Sequence, residues 1–531
     1  MEWDWQWIDQ TDMDPLKSQA THRSSRTAPV GSASTLVEQA TKGNEESRGI
    51  FATTSRFTQA YLLVAIAWFL LNTWKGLFVF FSGDDVMNVY KAWERPLSRL
   101  VLANLWPVTT EYRPVGSVFY RVLYSLFGFS PFPFRVACFV LLTINIVLAY
   151  RLAHRLSGSW EIGVLVAILS AYHKNLIEIY TNGGTVYDIL CYYFYYAALV
   201  AYVTVKGLAR RNTPAKMLFV ALSSFALSSK EMAITLPVAL WILEAVYWPP
   251  PRWDDIVAVC RWPLSRGVSI WVVTAIAVIA GVTKLGAASS FGDNSAYSVV
   301  LSFNQFWSTS AAWMAQLFWL KEDEHTSVRI VTIIVCLAVG ALLDRRKHLV
   351  VCIGLIILVP LPVMFLPKRG FYVMYMATFP WSLLVATLLV NVRDKLLRSV
   401  TINHFPRTLP VFLFVLLTLF ALNLRKTALE PIRMTQVANQ SLSNALSSEC
   451  PGLSRPTHAN ILLVGDGFQE WVWDPLFVAR LLYHNQELDV YRTNTSVLAL
   501  KPLPNLKYDC VLAFDGQYYR KRLNHLDVVE K

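Results

Sequence analysis

The chain has 531 residues, 54% of them hydrophobic, and its 48 basic and 36 acidic side chains leave a net charge of +12. Soluble domains hold about 45–50% apolar residues even with glycine counted. Here the apolar residues come in long, nearly charge-free blocks, which excludes a soluble globular fold. The basic excess would suggest nucleic acid in a soluble protein. Here it sits in short loops between the blocks, so it reads as a topology signal and no nucleic-acid partner is expected.

Residues 1–56 are polar, rich in Ser, Thr, Gln and charge, and read as a disordered cytoplasmic tail. Trp3, Trp5 and Trp7 would let the tail touch a membrane surface, although a plain tail needs no such role. No cleavable signal peptide is read, because the first apolar block starts near residue 57 and is too long for an h-region. The blocks are 57–81, 136–152, 189–205, 268–285, 349–366, 371–390 and 409–424. Most approach the roughly 20 residues that a helix needs to cross the hydrocarbon core.

Basic residues between the blocks orient the chain. Arg151, His154 and Arg155 mark one cytoplasmic loop, and Lys206, Arg210, Arg211 and Lys216 a second. Arg252, Arg261 and Arg266 mark a third, Arg345, Arg346 and Lys347 a fourth, and Arg393, Lys395 and Arg398 a fifth. Placing all of them inside, with 304–320 as a re-entrant or interfacial helix, gives about eleven spans. The N-terminus is then inside and the C-terminus outside. Residues 82–135, 173–185, 229–231 and 367–370 fall on the outer face, and 115–127 has the pattern of a helix lying in the interface.

Beyond residue 424 the composition changes. Residues 425–457 read as a polar connector. Short β-type runs at 461–464, 497–500 and 510–514, with a helical pattern at 475–484, suggest a small α/β domain. The domains expected are therefore 1–56, a transmembrane part over 57–424, and an external part over 425–531. Gly465-Asp466-Gly467 follows a strand but lacks the rest of a dinucleotide fingerprint and reads as a turn. Of the seven cysteines, Cys138, Cys191, Cys260, Cys336 and Cys352 lie in or beside apolar segments and read as small hydrophobes. Cys450 and Cys510 share the external region, where a disulfide is open to them.

The polar residues on the outer face carry the chemistry. Asp84 and Asp85 directly follow the first block, and two adjacent carboxylates at a membrane edge are costly to hold near lipid. Such a pair supplies a general base or binds a cation; the bland alternative is that it marks the end of a span. His173 and Glu178 close the third span, and Asp188 opens the fourth. Lys230-Glu231 stands at an outer corner between the apolar runs 217–227 and 232–246, where the alternative to a substrate role is a mutual salt bridge. Lys368-Arg369 stands on the side that the positive-inside rule disfavours, and an anionic phosphate would explain it.

Four stretches together resemble the polytopic glycosyltransferases of the GT-C fold, nearest the branch related to protein O-mannosyltransferases. They are Asp84-Asp85 after span one; Tyr112-Arg113-Pro114 running into Tyr124-Ser125-Leu126-Phe127-Gly128 and Pro131-Phe132; His173, Glu178 and Asp188; and Ser229-Lys230-Glu231 before an apolar span. A fifth, weaker match is Arg369 with Tyr372. The likeness covers roughly residues 57–390. It departs from the family where Thr185-Val186, after Gly183-Gly184, replaces a Gly-Arg between the Glu and the Asp. No tetratricopeptide array is present.

The resemblance implies an all-α polytopic GT-C-like protein with a small C-terminal α/β domain. It also implies inverting transfer of a sugar from a polyprenyl phosphate to a protein or glycan acceptor on the extracytoplasmic face. Asp84 and Asp85 would be catalytic. Arg113, His173, Glu178, Asp188, Lys230, Glu231, Lys368, Arg369 and Tyr372 would bind substrate. No cofactor is assigned, and a divalent metal stays open. The competing readings are a transporter or flippase of lipid-linked glycans, and a non-enzymatic scaffold. The host membrane is expected to be a bacterial inner membrane, with the endoplasmic reticulum as second choice. The sequons at Asn439 and Asn494 are too common by chance to decide it.

Overall fold

The computed structural model describes residues 56–105, 113–207, 213–250, 253–265, 267–288, 299–321, 323, 325–343, 346–367, 369–397, 408–424, 430–454, 458–465, 468, 473–493, 500–503, 506–516 and 518–521. The expected N-terminal tail, Tyr112, Arg210, Arg211, Arg252, Arg266, Arg345, Lys368, Arg398, Asp466, Gly467, Asn494 and the run 497–499 lie outside them.

The described chain is mostly helical. Helix α1, Arg56–Phe78, ends in the 3-10 turn Trp74–Phe78. It is followed by α2 (Gly83–Trp93), α3 (Leu97–Leu105), α4 (Pro114–Phe127), α5 (Pro131–Ser157) and α6 (Trp160–Ala171). Next come α7 (Ile177–Thr181), α8 (Val186–Gly207), α9 (Thr213–Ser229), α10 (Leu236–Tyr247), α11 (Ile256–Ser265) and α12 (Val268–Ala288). The series ends with α13 (Phe303–Leu317), α14 (Thr326–Leu343), α15 (Lys347–Leu358), α16 (Leu361–Met364), α17 (Thr378–Leu397) and α18 (Thr408–Asn423). Pro114 and Pro131 sit in the first turns of α4 and α5, where proline's missing N–H leaves no bond unmade. Gly158 ends α5 at φ 69°, the left-handed cap that glycine adopts without strain.

Among the described residues, four helices are long and apolar enough to cross a membrane: 56–78, 131–157, 183–204 and 347–364. Counting the two bent pairs, 160–171 with 174–181 and 256–265 with 268–283, raises the number to six. The expected count of about eleven is thus finer than length and composition support. Other expected crossings fall on shorter helices, such as α9 with 17 residues and α10 with 12. Large apolar side chains stand exposed along these helices, among them Leu63, Leu71, Val140, Val282, Val335, Ile357 and Leu417. A surface of that kind is unfavourable in water and natural against hydrocarbon.

The C-terminal segment forms a helix and a small sheet. Helix α19 (Glu430–Glu449) occupies most of the stretch expected to be a connector. Its buried side carries Gln436, Asn439, Ser441 and Ser443 beside Leu442, Ala445 and Leu446, so an apolar stripe is only half present in the sequence. Strand β1 (Ala459–Val464), helix α20 (Asp474–Tyr483) and strand β2 (Leu488–Arg492) make a βαβ unit with β1 and β2 parallel. Strand β3 (Cys510–Phe514) pairs parallel with β1, and β4 (Tyr519–Lys521) pairs antiparallel with β3. The sheet order is β2-β1-β3-β4. Cys450 and Cys510 form a disulfide that ties the end of α19 to β3.

This segment packs directly on the membrane part. Tyr124 donates to the Leu481 carbonyl at 2.6 Å, and Arg480 donates to the Tyr90 hydroxyl at 2.7 Å. Phe477 stacks on Tyr90 with centroids 4.1 Å apart. From α19, Asn439 donates to the Phe81 carbonyl at 3.2 Å and Gln436 to the Thr181 carbonyl at 2.8 Å. Asn439 is fully buried, so its sequon cannot accept a glycan in the folded chain.

Candidate active site

The site is built where α2, α4, α8 and the 3-10 turns before α10 and α17 converge. Ser82 starts α2 with a capping box. Its hydroxyl accepts from the Asp85 amide, and Asp85 Oδ2 accepts from the Ser82 amide at 2.9 Å. A reciprocal cap of this kind satisfies two otherwise orphaned backbone donors. It fixes Asp85 inward, where Arg135 of α5 donates to Oδ2 at 3.0 Å and the Gly183 amide does so at 3.3 Å. Both side chains of the Asp85–Arg135 pair are buried. Arg135 also donates to the Phe80 carbonyl at 3.0 Å. Asp85 is therefore held in the turn through Oδ2.

Asp84 differs. It is half-buried, and among the described residues its carboxylate has no hydrogen bond or ion pair. Burial raises its pKa above the ordinary value, and the neighbouring Asp85 charge adds to this; Arg113 and Arg369 act in the opposite direction. Burial disfavours the charged form and a like charge repels it, whereas cations favour it. The turn before α8 approaches closely. A methyl group at Gly184 would lie 2.6 Å from Asp84 Cβ, and one at Gly183 would lie 2.0 Å from Asp85 Oδ1. The Gly183-Gly184 pair, just before the Thr185-Val186 departure from the family pattern, lets the turn approach the acidic pair this closely.

Arg113 occupies the left-handed region at φ 52°, a strained setting for a non-glycine residue. It makes two bonds to Glu231, at 3.1 and 2.7 Å, and stands 5.1 Å over the Tyr187 ring. Lys230 pairs with Asp188, both buried, and stands 5.3 Å over the Tyr372 ring. The mutual Lys230–Glu231 bridge considered from the sequence is not formed. Lys230 is extended whereas Glu231 opens the 3-10 turn, so the two side chains leave the backbone in different directions and find different partners. Glu178 lies near Asp84 and Asp188, and its Oε1 comes within 2.8 Å of where a Gly370 methyl would stand. Like Asp84, the Glu178 carboxylate has no hydrogen bond or ion pair among the described residues. Arg369 and Tyr372 belong to the same electrostatic neighbourhood.

His173 packs its ring against Phe371, in the turn that carries Tyr372, with centroids 5.3 Å apart. Its Nδ1 accepts from the Asn175 amide at 3.2 Å, so Nε2 carries the proton and donates to the Leu317 carbonyl at 3.1 Å. The ring stacks on Trp319 at 4.0 Å. Both nitrogens are used by backbone groups. Lys368 lies outside the described residues. Asp474, which the sequence did not mark, is buried close to the acidic pair. No group of three or more His, Cys, Asp or Glu side chains among the described residues could hold a metal ion.

Residues 111–280 match the sequence profile of a family described as dolichyl-phosphate-mannose-protein mannosyltransferase. The matched stretch contains Arg113, Glu178, Asp188, Lys230 and Glu231. Several solved structures are similar to this chain. The Archaeoglobus fulgidus oligosaccharyltransferase, tethered to an acceptor peptide containing an NVT sequon, is 12% identical over 81% of this chain and 63% of that chain, with a TM-score of 0.43. The oligosaccharyltransferase AglB of the same organism, in complex with an inhibitory peptide and a dolichol-phosphate, is 12% identical over 81% of this chain and 64% of that one, with a TM-score of 0.44. ArnT from Cupriavidus metallidurans, bound to undecaprenyl phosphate, is 13% identical over 82% of this chain and 86% of that one, with a TM-score of 0.41. The chain thus spans less than two thirds of the length of the archaeal enzyme. No curated protein matches it. The chain is an integral, multi-pass membrane protein, and the family resemblance drawn from the motifs holds over residues 111–280, the stretch that matches the profile.

Proposed function

We propose that the chain is a membrane glycosyltransferase that moves a sugar from a polyprenyl-phosphate carrier to an acceptor hydroxyl on the extracytoplasmic face. The observation that carries this reading is the half-buried Asp84 carboxylate, which has no hydrogen bond or ion pair among the described residues while the adjacent Asp85 is held by Arg135. In the proposed step the acceptor oxygen attacks the anomeric carbon and its proton passes to Asp84. The bond from that carbon to the phosphate oxygen breaks, its electron pair goes to the lipid phosphate, and the configuration inverts. Arg369 stabilises the departing phosphate with its fork of N–H donors. Arg113 is held by Glu231 at the rim, and Tyr372 and Glu178 line the space for the sugar.

Two observations support the placement on the extracytoplasmic face. The Cys450–Cys510 disulfide belongs to a segment that packs against the acidic pair, and disulfides persist in oxidising compartments. The basic loops of the positive-inside pattern lie away from that segment in sequence. A protein or glycan acceptor, the inverting outcome and the sugar's identity belong to this proposal.

The test is incubation of membranes carrying the full chain with radiolabelled dolichyl-phosphate mannose and undecaprenyl-phosphate sugars, followed by analysis of the labelled product. Label should pass to an acceptor with the wild-type chain and be lost with Asp84→Asn. Equal labelling by both would remove Asp84 from the mechanism, and no transfer from any carrier would overturn the reading.

A further inference from the structure

Asp474 opens α20 in the C-terminal segment, and its side chain is fully buried. An aspartate ahead of a proline at a helix start ordinarily caps the helix from a solvated position. Asp474 does not: its N-terminal neighbour Trp473 is the cap residue, and that cap makes no side-chain hydrogen bond. Instead, Asp474 Oδ2 accepts from Asn439 Nδ2 of α19 at 3.2 Å. The same Asn439 nitrogen donates to the Phe81 carbonyl at 3.2 Å, the residue immediately before the Ser82 cap that presents Asp84 and Asp85. Asp474 Oδ1 and Asn439 Oδ1 are both buried without a hydrogen-bond partner among the described residues.

A carboxylate in this position faces two others, Asp84 and Asp85 of α2; among the described residues Arg492 of β2 is the basic group nearest in influence. Arg492 also donates to the Phe468 carbonyl at 3.1 Å, so its charge is shared. An ionised Asp474 would bring a third negative charge against the acidic pair, with no donor for Oδ1. A neutral carboxylic acid removes that charge and supplies an O–H where buried acceptors lack donors.

We propose that Asp474 is a positioning residue for the transfer reaction: in its protonated form it clasps, through Asn439, the turn that presents Asp84, so that the C-terminal segment completes the site. Burial, followed by the Asp84 and Asp85 charges, pushes its pKa up to about 7, with the Asn439 bond and Arg492 opposing. Ionisation as pH rises strengthens the Asn439 bond itself but sets a third charge against Asp84 and Asp85, and that repulsion works against the clasp. The folded value lies above the unfolded one, so the stability that Asp474 contributes is full below the unfolded value and is lost as pH rises through about 7.

The kinetic arm rests on the reading of Asp84 as the base; the stability arm does not. Thermal unfolding midpoints of the purified full chain are measured from about pH 5 to about pH 9, the range that brackets the shifted group, for wild type, Asp474→Asn and Asp474→Ala. The wild-type midpoint should fall with rising pH across this range, and Asp474→Asn, a permanent neutral mimic, should flatten that fall. With dolichyl-phosphate mannose as donor, Asp474→Ala should lower kcat by about tenfold or more at unchanged KM, the scale of a misplaced reacting group. Asp474→Asn should rescue most of this loss and hold kcat further into the alkaline range than wild type does. If wild type transfers no sugar from this donor, the functional reading is at fault and the unfolding curves alone decide. An equal pH slope in wild type and Asp474→Asn would overturn the clasp, as would unchanged kcat in Asp474→Ala where transfer is measurable.

Discussion

Arg135 and Asp85 form a buried ion pair at 3.0 Å, which separates two adjacent carboxylates that look equivalent in sequence. Asp85 holds the start of α2, and Asp84 is left for chemistry. Removing one partner of a buried pair leaves the other charge uncompensated, a loss of about 3–5 kcal/mol. Asp85→Asn is therefore expected to fold poorly, with low recovery from detergent extracts. Asp84→Asn should be extracted and melt like wild type while sugar transfer falls by about 10²-fold or more, the scale of a general base. A stable Asp85→Asn with normal transfer would reverse the assignment.

The pH dependence follows from the direction of the Asp84 shift. Its pKa is raised, first by burial and then by Asp85, and a base works only when ionised. The acid limb of kcat/KM should thus lie above the ordinary carboxylate range. Arg369 opposes the shift, so Arg369→Gln should raise the Asp84 pKa further and move the limb to higher pH. The profile of the two proteins, each at saturating acceptor, checks this. An unmoved limb, or one moved to lower pH, would show that another group controls it.

Lys230 and Arg369 stand out alike in the sequence and should behave differently. Lys230 is buried against Asp188, so Lys230→Ala should cost expression and stability by leaving a buried carboxylate unpaired. The double variant Lys230→Met with Asp188→Leu should recover much of that loss. Arg369 is half-buried and close to Asp84. Arg369→Ala should raise the donor KM without lowering the melting temperature, and Arg369→Lys should fall between, because lysine cannot reproduce a two-bond grip on phosphate. A normal donor KM in Arg369→Ala would end its phosphate role.

What could be read from the sequence followed local rules. Long apolar blocks announced the membrane helices, the amphipathic pattern over 115–127 marked α4, and short β-type runs marked β1 and β3. The candidate site residues stand out as chemistry-bearing types at the ends of apolar blocks. Their pairing was not legible, because Asp188 and Lys230 are 42 positions apart and Arg113 and Glu231 are 118 apart. The Ser82-to-Asp85 capping box is local in sequence, yet the run by itself left Asp84 and Asp85 equivalent. Helix α19 read as a connector because Gln436, Asn439 and Ser443 interrupt its apolar side, and only their tertiary hydrogen bonds and packing make those positions interior. Asp474 carried no signal, since an aspartate before a proline is an ordinary helix start until the fold sets it beside two other carboxylates.

Topology is the remaining test of the whole arrangement, and the disulfide makes it accessible. Cys450 and Cys510 close a loop with a sequence separation of 60, and a native bridge of that kind stabilises a fold by about 2–4 kcal/mol, mainly by restricting the unfolded chain. It should form only if the segment after α18 faces an oxidising compartment. Reporter fusions after Leu424 and after Lys395 should therefore report opposite sides of the membrane. In a background with the exposed Cys260 and Cys336 replaced by serine, a membrane-impermeant maleimide applied to the extracytoplasmic face should label the chain only after reduction. Cys510→Ala should lower the melting temperature and leave one thiol to label without reduction. Labelling of the unreduced protein at both cysteines would deny the bridge. Fusions that both report the cytoplasm would move the carboxylates, the clasp and the proposed chemistry to the wrong side for a carrier-borne sugar.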